Sequence, residues 1–312
     1  MRCLLPIIAL LLVNTQTFAA DYDIVVYGGN ASGVASAVQA ARMGKTVVVI
    51  EPGKHIGGLT SGGLGWTDSG NKAVIGGISR EFYQRVKKHY DDPKSWVHEK
   101  QDGYKFYRKD DDSMWTFEPK IAEKILREML DDAKVPVVFS ERLDRTPEKG
   151  VKLDGKRIVS ITTESGKTFT GKMFIDATYE GDLMALAGVS YTVGREANKQ
   201  YGETLNGVAK KWNTSNHRFM VKVDPYVKPG DPKSGLLFGI DADPLPADGE
   251  ADKRMQAYCF RMCMSDVPAN RVPFEKPADF DEAKYELLFR NFEAGDMHIP
   301  MKPDRMPNGK TD

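Results

Sequence analysis

Six residues in a row, Gly28-Gly29-Asn30-Ala31-Ser32-Gly33, a carboxylate at Glu51 and a second glycine cluster opening at Gly57 are the groups here with chemistry to offer. That chemistry is the holding of phosphates and sugar hydroxyls. Gly28 permits a tight turn out of a strand, Gly33 lets a helix pack closely on a sheet, and the first amides of that helix, with its dipole, suit a pyrophosphate. Glu51, followed by Pro52, stands about 20 residues past the turn, where a carboxylate accepts hydrogen bonds from ribose hydroxyls and repels a 2′-phosphate. The usual second glycine of G-x-G-x-x-G is Asn30. Asn tolerates positive φ better than most residues, so a slightly altered approach to phosphate is expected. The competing reading is an ordinary βαβ unit with a glycine turn.

The motif requires a strand before it and a helix after it. Residues 24–26 are a β-branched run, 34–43 an alanine-rich helix stopped by Gly44, and 46–50 a second buried strand that delivers Glu51. Between 57 and 68 there are five glycines, which suits backbone lying against a flat or phosphate-bearing ligand. Leu59, Leu64 and Trp66 predict that this stretch is ordered and partly buried. Ile78, Phe82, Val86 and Tyr90 then recur at i+4 and mark a helix. Residues 91–116 turn polar and aromatic and read as an irregular insertion whose rings pack a long loop.

Pro119 opens a helix with a broad apolar face from Ile121 to Leu130. A strand at 135–139 follows, then a meander over 153–174 with turns at Asp154-Gly155 and Ser165-Gly166. The chain then reaches Asp176-Ala177-Thr178 and a helix carrying Leu183, Leu186 and Ala187. Later come a Pro, Gly and Asp-rich loop over 224–252, a strand over 255–264, and a helix with Tyr285, Leu288, Phe289 and Phe292, capped by Asp279 or Asp281. Residues 299–312 have no periodicity.

At 312 residues, with 41% hydrophobic residues and 44 basic against 44 acidic side chains, the chain is globular, of one large or two ordinary domains. Zero formal net charge and no basic stripe exclude a nucleic-acid partner. Arg2, an apolar run over 4–13 and Thr17-Phe18-Ala19-Ala20 read as a signal peptide of residues 1–19, too short to span a bilayer. No twin arginine precedes the run, so export is of the unfolded chain and a cofactor is acquired outside the cytoplasm. A periplasmic or extracellular location follows. Asn30-Ala31-Ser32 is formally a glycosylation sequon, but a glycan there would obstruct the turn, which favours a bacterial source. Cys259 and Cys263 sit about 13 Å apart on a strand, too far for a disulfide, and read as buried or half-buried structural thiols.

With these residues in view, the chain resembles the FAD-dependent oxidoreductases of the glutathione-reductase-like superfamily, in particular their exported bacterial branch. The resemblance rests on the segments at 26–33, 55–65, 176–183, 191–196 and 260–263. It implies an α/β fold: a Rossmann-like FAD-binding domain over 20–188, its parallel sheet carrying a β-meander and interrupted at about 66–117, then an incomplete substrate or cap region over 189–312. It implies non-covalent FAD, with Gly28, Gly29, Asn30, Ala31, Ser32 and Gly33 on the pyrophosphate and Glu51 with Pro52 on the adenosine ribose. By the same analogy Gly57, Gly58, Leu59 and Thr60 meet the pyrophosphate and ribityl region, the Val138 backbone approaches the adenine, and Ala177 and Thr178 line the dinucleotide. Asp182 is as readily a helix cap. Such proteins end with a further strand and a glycine-containing helix facing the flavin; no such element precedes Asp312, so the chain reads as an amino-terminal fragment.

The implied function is flavin-mediated hydride or electron transfer on a small organic substrate, carbohydrate-related among the candidates, with an unidentified electron acceptor and no metal. Oxidation of a C–H bond bearing a hydroxyl or amine needs a base, and no residue is identified as one. His55, beside the second glycine cluster, is a candidate to touch or even covalently carry the cofactor but reads first as a solvated loop histidine, His217 and His298 are isolated and lack metal-ligand spacing, and Arg195 is divided between an anionic partner and an ion pair. Two competing functions are a nicotinamide-dependent dehydrogenase, disfavoured by the meander and the second glycine cluster, and a non-catalytic binding module.

Overall fold

A computed structural model describes residues 21–212, 219–256, 261–297 and 303–312. The chain forms two units. One comprises the chain up to Gly62 with Thr67–Ser95 and Phe106–Val189; the other comprises Gly63–Trp66, Trp96–Lys105 and Ser190–Asp312. The expected insertion at 66–117 is therefore divided, because most of it packs with the first unit.

The first unit is built on β1 (Tyr22–Tyr27), α1 (Ala31–Arg42) and β2 (Val47–Glu51). β1 is β-branched over Ile24, Val25 and Val26 and β2 from Val47 to Ile50, as expected of parallel strands buried on two faces. Alternate residues Val25, Tyr27, Val48 and Ile50 join one core with Leu143, Ile161 and Leu183. The intervening residues point to the opposite face, where α1 presents Val34, Ala37 and Val38. α2 (Gly77–Asp91) buries Phe82, Val86 and Tyr90, three of the four residues that predicted it. α3 (Pro119–Asp132) begins on Pro119 and buries Ile121, Ile125, Met129 and Leu130.

β3 (Val137–Phe139) follows, and β4 (Val151–Asp154), β5 (Arg157–Thr162) and β6 (Thr168–Asp176) form the meander. The six strands lie in one sheet in the order β3-β2-β1-β6-β5-β4. The last strand of the meander, β6, also joins the parallel sheet. Thr168, Phe169 and Thr170 pair antiparallel with β5, and from Gly171 to Asp176 the same strand runs parallel to β1. Gly171, at the switch, does not break the strand, so one long strand spans both pairings. α4 (Asp182–Leu186) then buries Leu183.

In the second unit a four-residue helix, α5 (Asn198–Tyr201), is followed by long loops and a small sheet. Its strands are β7 (Met264–Ser265), β8 (Arg305–Met306) and β9 (Lys310–Thr311), in the order β7-β9-β8. Two-residue strands leave no readable alternation, which is why residues 299–312 gave no signal. Of the strand expected over 255–264, residues 257–260, with Cys259, lie outside the described residues, and only Met264 is in a strand. Cys263 is exposed, which corrects its reading as a buried or half-buried thiol. Asp281 caps the turn Glu282–Tyr285, which runs into α6 (Glu286–Glu293). α6 buries Asn291 and turns Arg290 inward to donate to the carbonyls of Asp224, Tyr226 and Val227, so Leu288 and Phe289 are exposed instead of forming a core face. Among the described residues no helix is long and apolar enough to cross a membrane.

Candidate dinucleotide site

The carboxyl ends of β1, β2 and β6 meet the amino end of α1. Gly28, at φ +100°, hangs from Ile50 O by its amide at 2.8 Å. A Cβ at Gly33 would lie 1.9 Å from Gly28 O and 3.3 Å from the Ala177 methyl, so helix, turn and β6 touch with no room for a side chain. Asn30 takes an extended φ of −72°, not the positive φ its side chain would tolerate. It is instead the N-cap: its Oδ1 accepts from Gly33 N at 3.0 Å and from Ser32 Oγ at 2.7 Å, and its Nδ2 donates to Ala177 O. That cap starts α1 three residues earlier than the alanine-rich run suggested.

Of the first four amides of α1, Gly33 and Val34 bond to Asn30. The first-turn amides of Ala31 and Ser32 then lie at the positive end of the helix dipole, with no acidic residue in that turn to oppose an anion. Glu51 ends β2 half-buried beside Pro52; its Oε2 accepts from Gly29 N and its Oε1 from Gly53 N, each at 2.6 Å. A carboxylate oxygen has lone pairs for more than one donor, so sugar hydroxyls can share it. This cradle of glycines, helix amides and one carboxylate fits an adenine dinucleotide.

The second glycine cluster is stitched to the first: Gly57 N donates to Gly29 O at 2.8 Å, and Gly58–Thr60 forms a single helical turn. Leu59 is 54% exposed, contrary to the expectation that it anchors the cluster, whereas Leu64 and Trp66 are half-buried. Thr60 faces Ala31, Val34 and Phe82 across a small cavity of about 100 Å³. Beyond β6, Thr178 donates through N and Oγ1 to Asp176 Oδ1, while Asp176 Oδ2 accepts from Met184 N. Asp176 thus fixes the loop that carries Ala177 and Thr178. Val138 pairs with Ile50 in the sheet and packs its side chain on the core.

Residues 23–312 match the family model described as FAD dependent oxidoreductase. The chain belongs to this family. FAD is accordingly the dinucleotide that the cradle fits. No curated protein sequence matches the chain significantly. Solved structures similar to this FAD dependent oxidoreductase include an L-proline dehydrogenase from P. horikoshii, at 17% identity, covering 58% of this chain and 59% of that one, with a TM-score of 0.37. An L-amino acid deaminase from Proteus vulgaris has 15% identity, 57% and 59% coverage and a TM-score of 0.35. A flavin monooxygenase from Stenotrophomonas maltophilia has 15% identity, 50% and 37% coverage and a TM-score of 0.30. The chain spans less than two thirds of the length of each.

The remaining candidates of this FAD dependent oxidoreductase resolve structurally. His55 is exposed, with Nδ1 3.0 Å from Glu123 Oε2. Glu123 also receives Ile56 N and Arg127, a helix-borne anchor for the second glycine segment that sequence reasoning missed. Arg195 forms a two-pronged pair with Asp252, whose hydrogen bonds hold the guanidinium above its ordinary pKa, so the ion-pair reading stands. Asp182 opens α4 with an oxygen 3.8 Å from Arg145. His217 and His298 lie outside the described residues. Among the described residues no cluster of His, Cys, Asp and Glu could hold a metal. Tyr179, unremarked in the sequence although it lies inside the 176–183 segment, reaches back to Leu59 N at 2.9 Å.

Proposed function

We propose that the whole protein is an exported enzyme that oxidises a small organic substrate, carbohydrate-related among the candidates, and passes the electrons to a separate acceptor. FAD, when bound, accepts the hydride or electrons. The residues of this chain bind and orient it: the amides of Ala31 and Ser32 hold the pyrophosphate, Glu51 the adenosine ribose, and the Gly57–Thr60 segment and Thr178 the stretch toward the ring. A protein base takes the proton released from the substrate. The observation that carries this reading is the contact of Gly33 with Gly28 and Ala177, which leaves the helix amides open beside a strand-end carboxylate. The export part of the proposal is supported by residues 1–19, read as a leader for delivery to the periplasm or outside the cell.

The test is the visible absorption spectrum of the purified mature chain with and without added FAD, beside Glu51→Arg. Flavin retained by the wild type and lost from Glu51→Arg is the expected result. Equal affinity in both would refute the ribose role. Fractionation of cells expressing the chain with and without residues 1–19 tests export, the expected outcome being periplasmic or secreted protein only with the leader.

A further inference from the structure

We propose that Tyr179 is a positioning residue of the dinucleotide site, its hydroxyl holding the second glycine turn in the shape that FAD meets. This rests on the flavin-site reading above.

The turn at 57–60 is closed by its own backbone bonds, Thr60 N to Gly57 O at 3.1 Å and Ser61 N to Gly58 O at 3.3 Å, but its place against the rest of the site depends on contacts from outside it. Its one large side chain, Leu59, is 54% exposed and gives no apolar anchor. One end is tied to the first glycine turn by Gly57 N donating to Gly29 O at 2.8 Å. The other end is tied by Leu59 N donating to the Tyr179 hydroxyl at 2.9 Å. Tyr179 brings that acceptor from a loop that is itself fixed, since Asp176 receives Thr178 N and Met184 N, and Thr178 Oγ1 receives Gly181 N.

The placement is close. A Cβ at Gly58 would lie 2.3 Å from the Tyr179 hydroxyl oxygen and 2.7 Å from Asn30 Cβ, so the turn passes between the cap of α1 and the tyrosine. The ring is 63% exposed and belongs to no core. Packing therefore does not explain a tyrosine here, whereas the hydroxyl has a defined partner. A turn already ordered before the ligand arrives loses less conformational freedom on binding, and the gain appears as affinity.

The deciding variant is Tyr179→Phe, which keeps the ring and deletes the acceptor. Two measurements are made on the wild-type and variant chains: backbone hydrogen exchange across 57–60 without ligand, and FAD affinity by flavin fluorescence. Faster exchange at Leu59, FAD binding weakened by about three- to tenfold and an unchanged thermal midpoint are expected. Exchange at Leu59 equal to wild type overturns the proposal, as does unchanged or tighter FAD binding. Should the wild type bind no FAD, the flavin-site reading fails, and the exchange result alone decides whether Tyr179 positions the turn.

Discussion

Asn30 shows how much one side chain settles at the residue scale. Where a glycine usually stands, its backbone has an ordinary extended φ, and the amide group is used on both sides, accepting from the first turn of α1 and donating to Ala177 O. Removing it costs a helix cap and leaves a buried carbonyl without that donor. Asn30→Ala should lower the stability of the chain by about 1 to 2 kcal/mol in urea denaturation. Asn30→Ser, which retains a capping oxygen, should cost less than about 1 kcal/mol. Equal losses would mean that the cap contributes nothing and the contact to Ala177 everything.

At the scale of elements, the meander is tied to the dinucleotide end of the sheet through Glu141. Its amide donates to Glu51 O, while its 4% exposed side chain receives Lys167 Nζ at 2.6 Å and the hydroxyls of Thr163 and Ser165 on the turn between β5 and β6. The Lys167 ammonium, then the two hydroxyls, hold the Glu141 carboxyl down at about 2 against an ordinary 4.5. A carboxyl depressed on folding stabilises fully above its unfolded pKa, and that stability is lost as pH falls through the folded value. The loss from this group therefore runs from about pH 4.5 down to about 2. Glu141→Gln should be less stable at neutral pH and show a shallower decline across that window in pH-dependent denaturation. A decline parallel to wild type would remove Glu141 from the acid response.

For the whole molecule, a ligand that binds only the folded chain raises its stability by mass action. FAD at a hundred times its dissociation constant should add about 2.7 kcal/mol and lift the thermal midpoint by roughly 4 °C. A midpoint insensitive to FAD would argue against flavin binding by this chain. The sequence by itself determined the βαβ unit, the helices over 77–91 and 119–132, and both glycine clusters, because each has a hydrophobic period or turn chemistry that is local in the chain. It did not determine the double pairing of β6 with β5 and β1, the small sheet of β7, β9 and β8, or the inward Arg290 of α6, since these depend on partners far along the chain. At the site, the residue types of Gly28, Gly33 and Glu51 were legible from their spacing. The Asn30 cap is local, but its bond to Ala177 O, the hold of Glu123 on Ile56 and the reach of Tyr179 to Leu59 were decided only when folding closed separations of 147, 67 and 120 residues to a hydrogen bond.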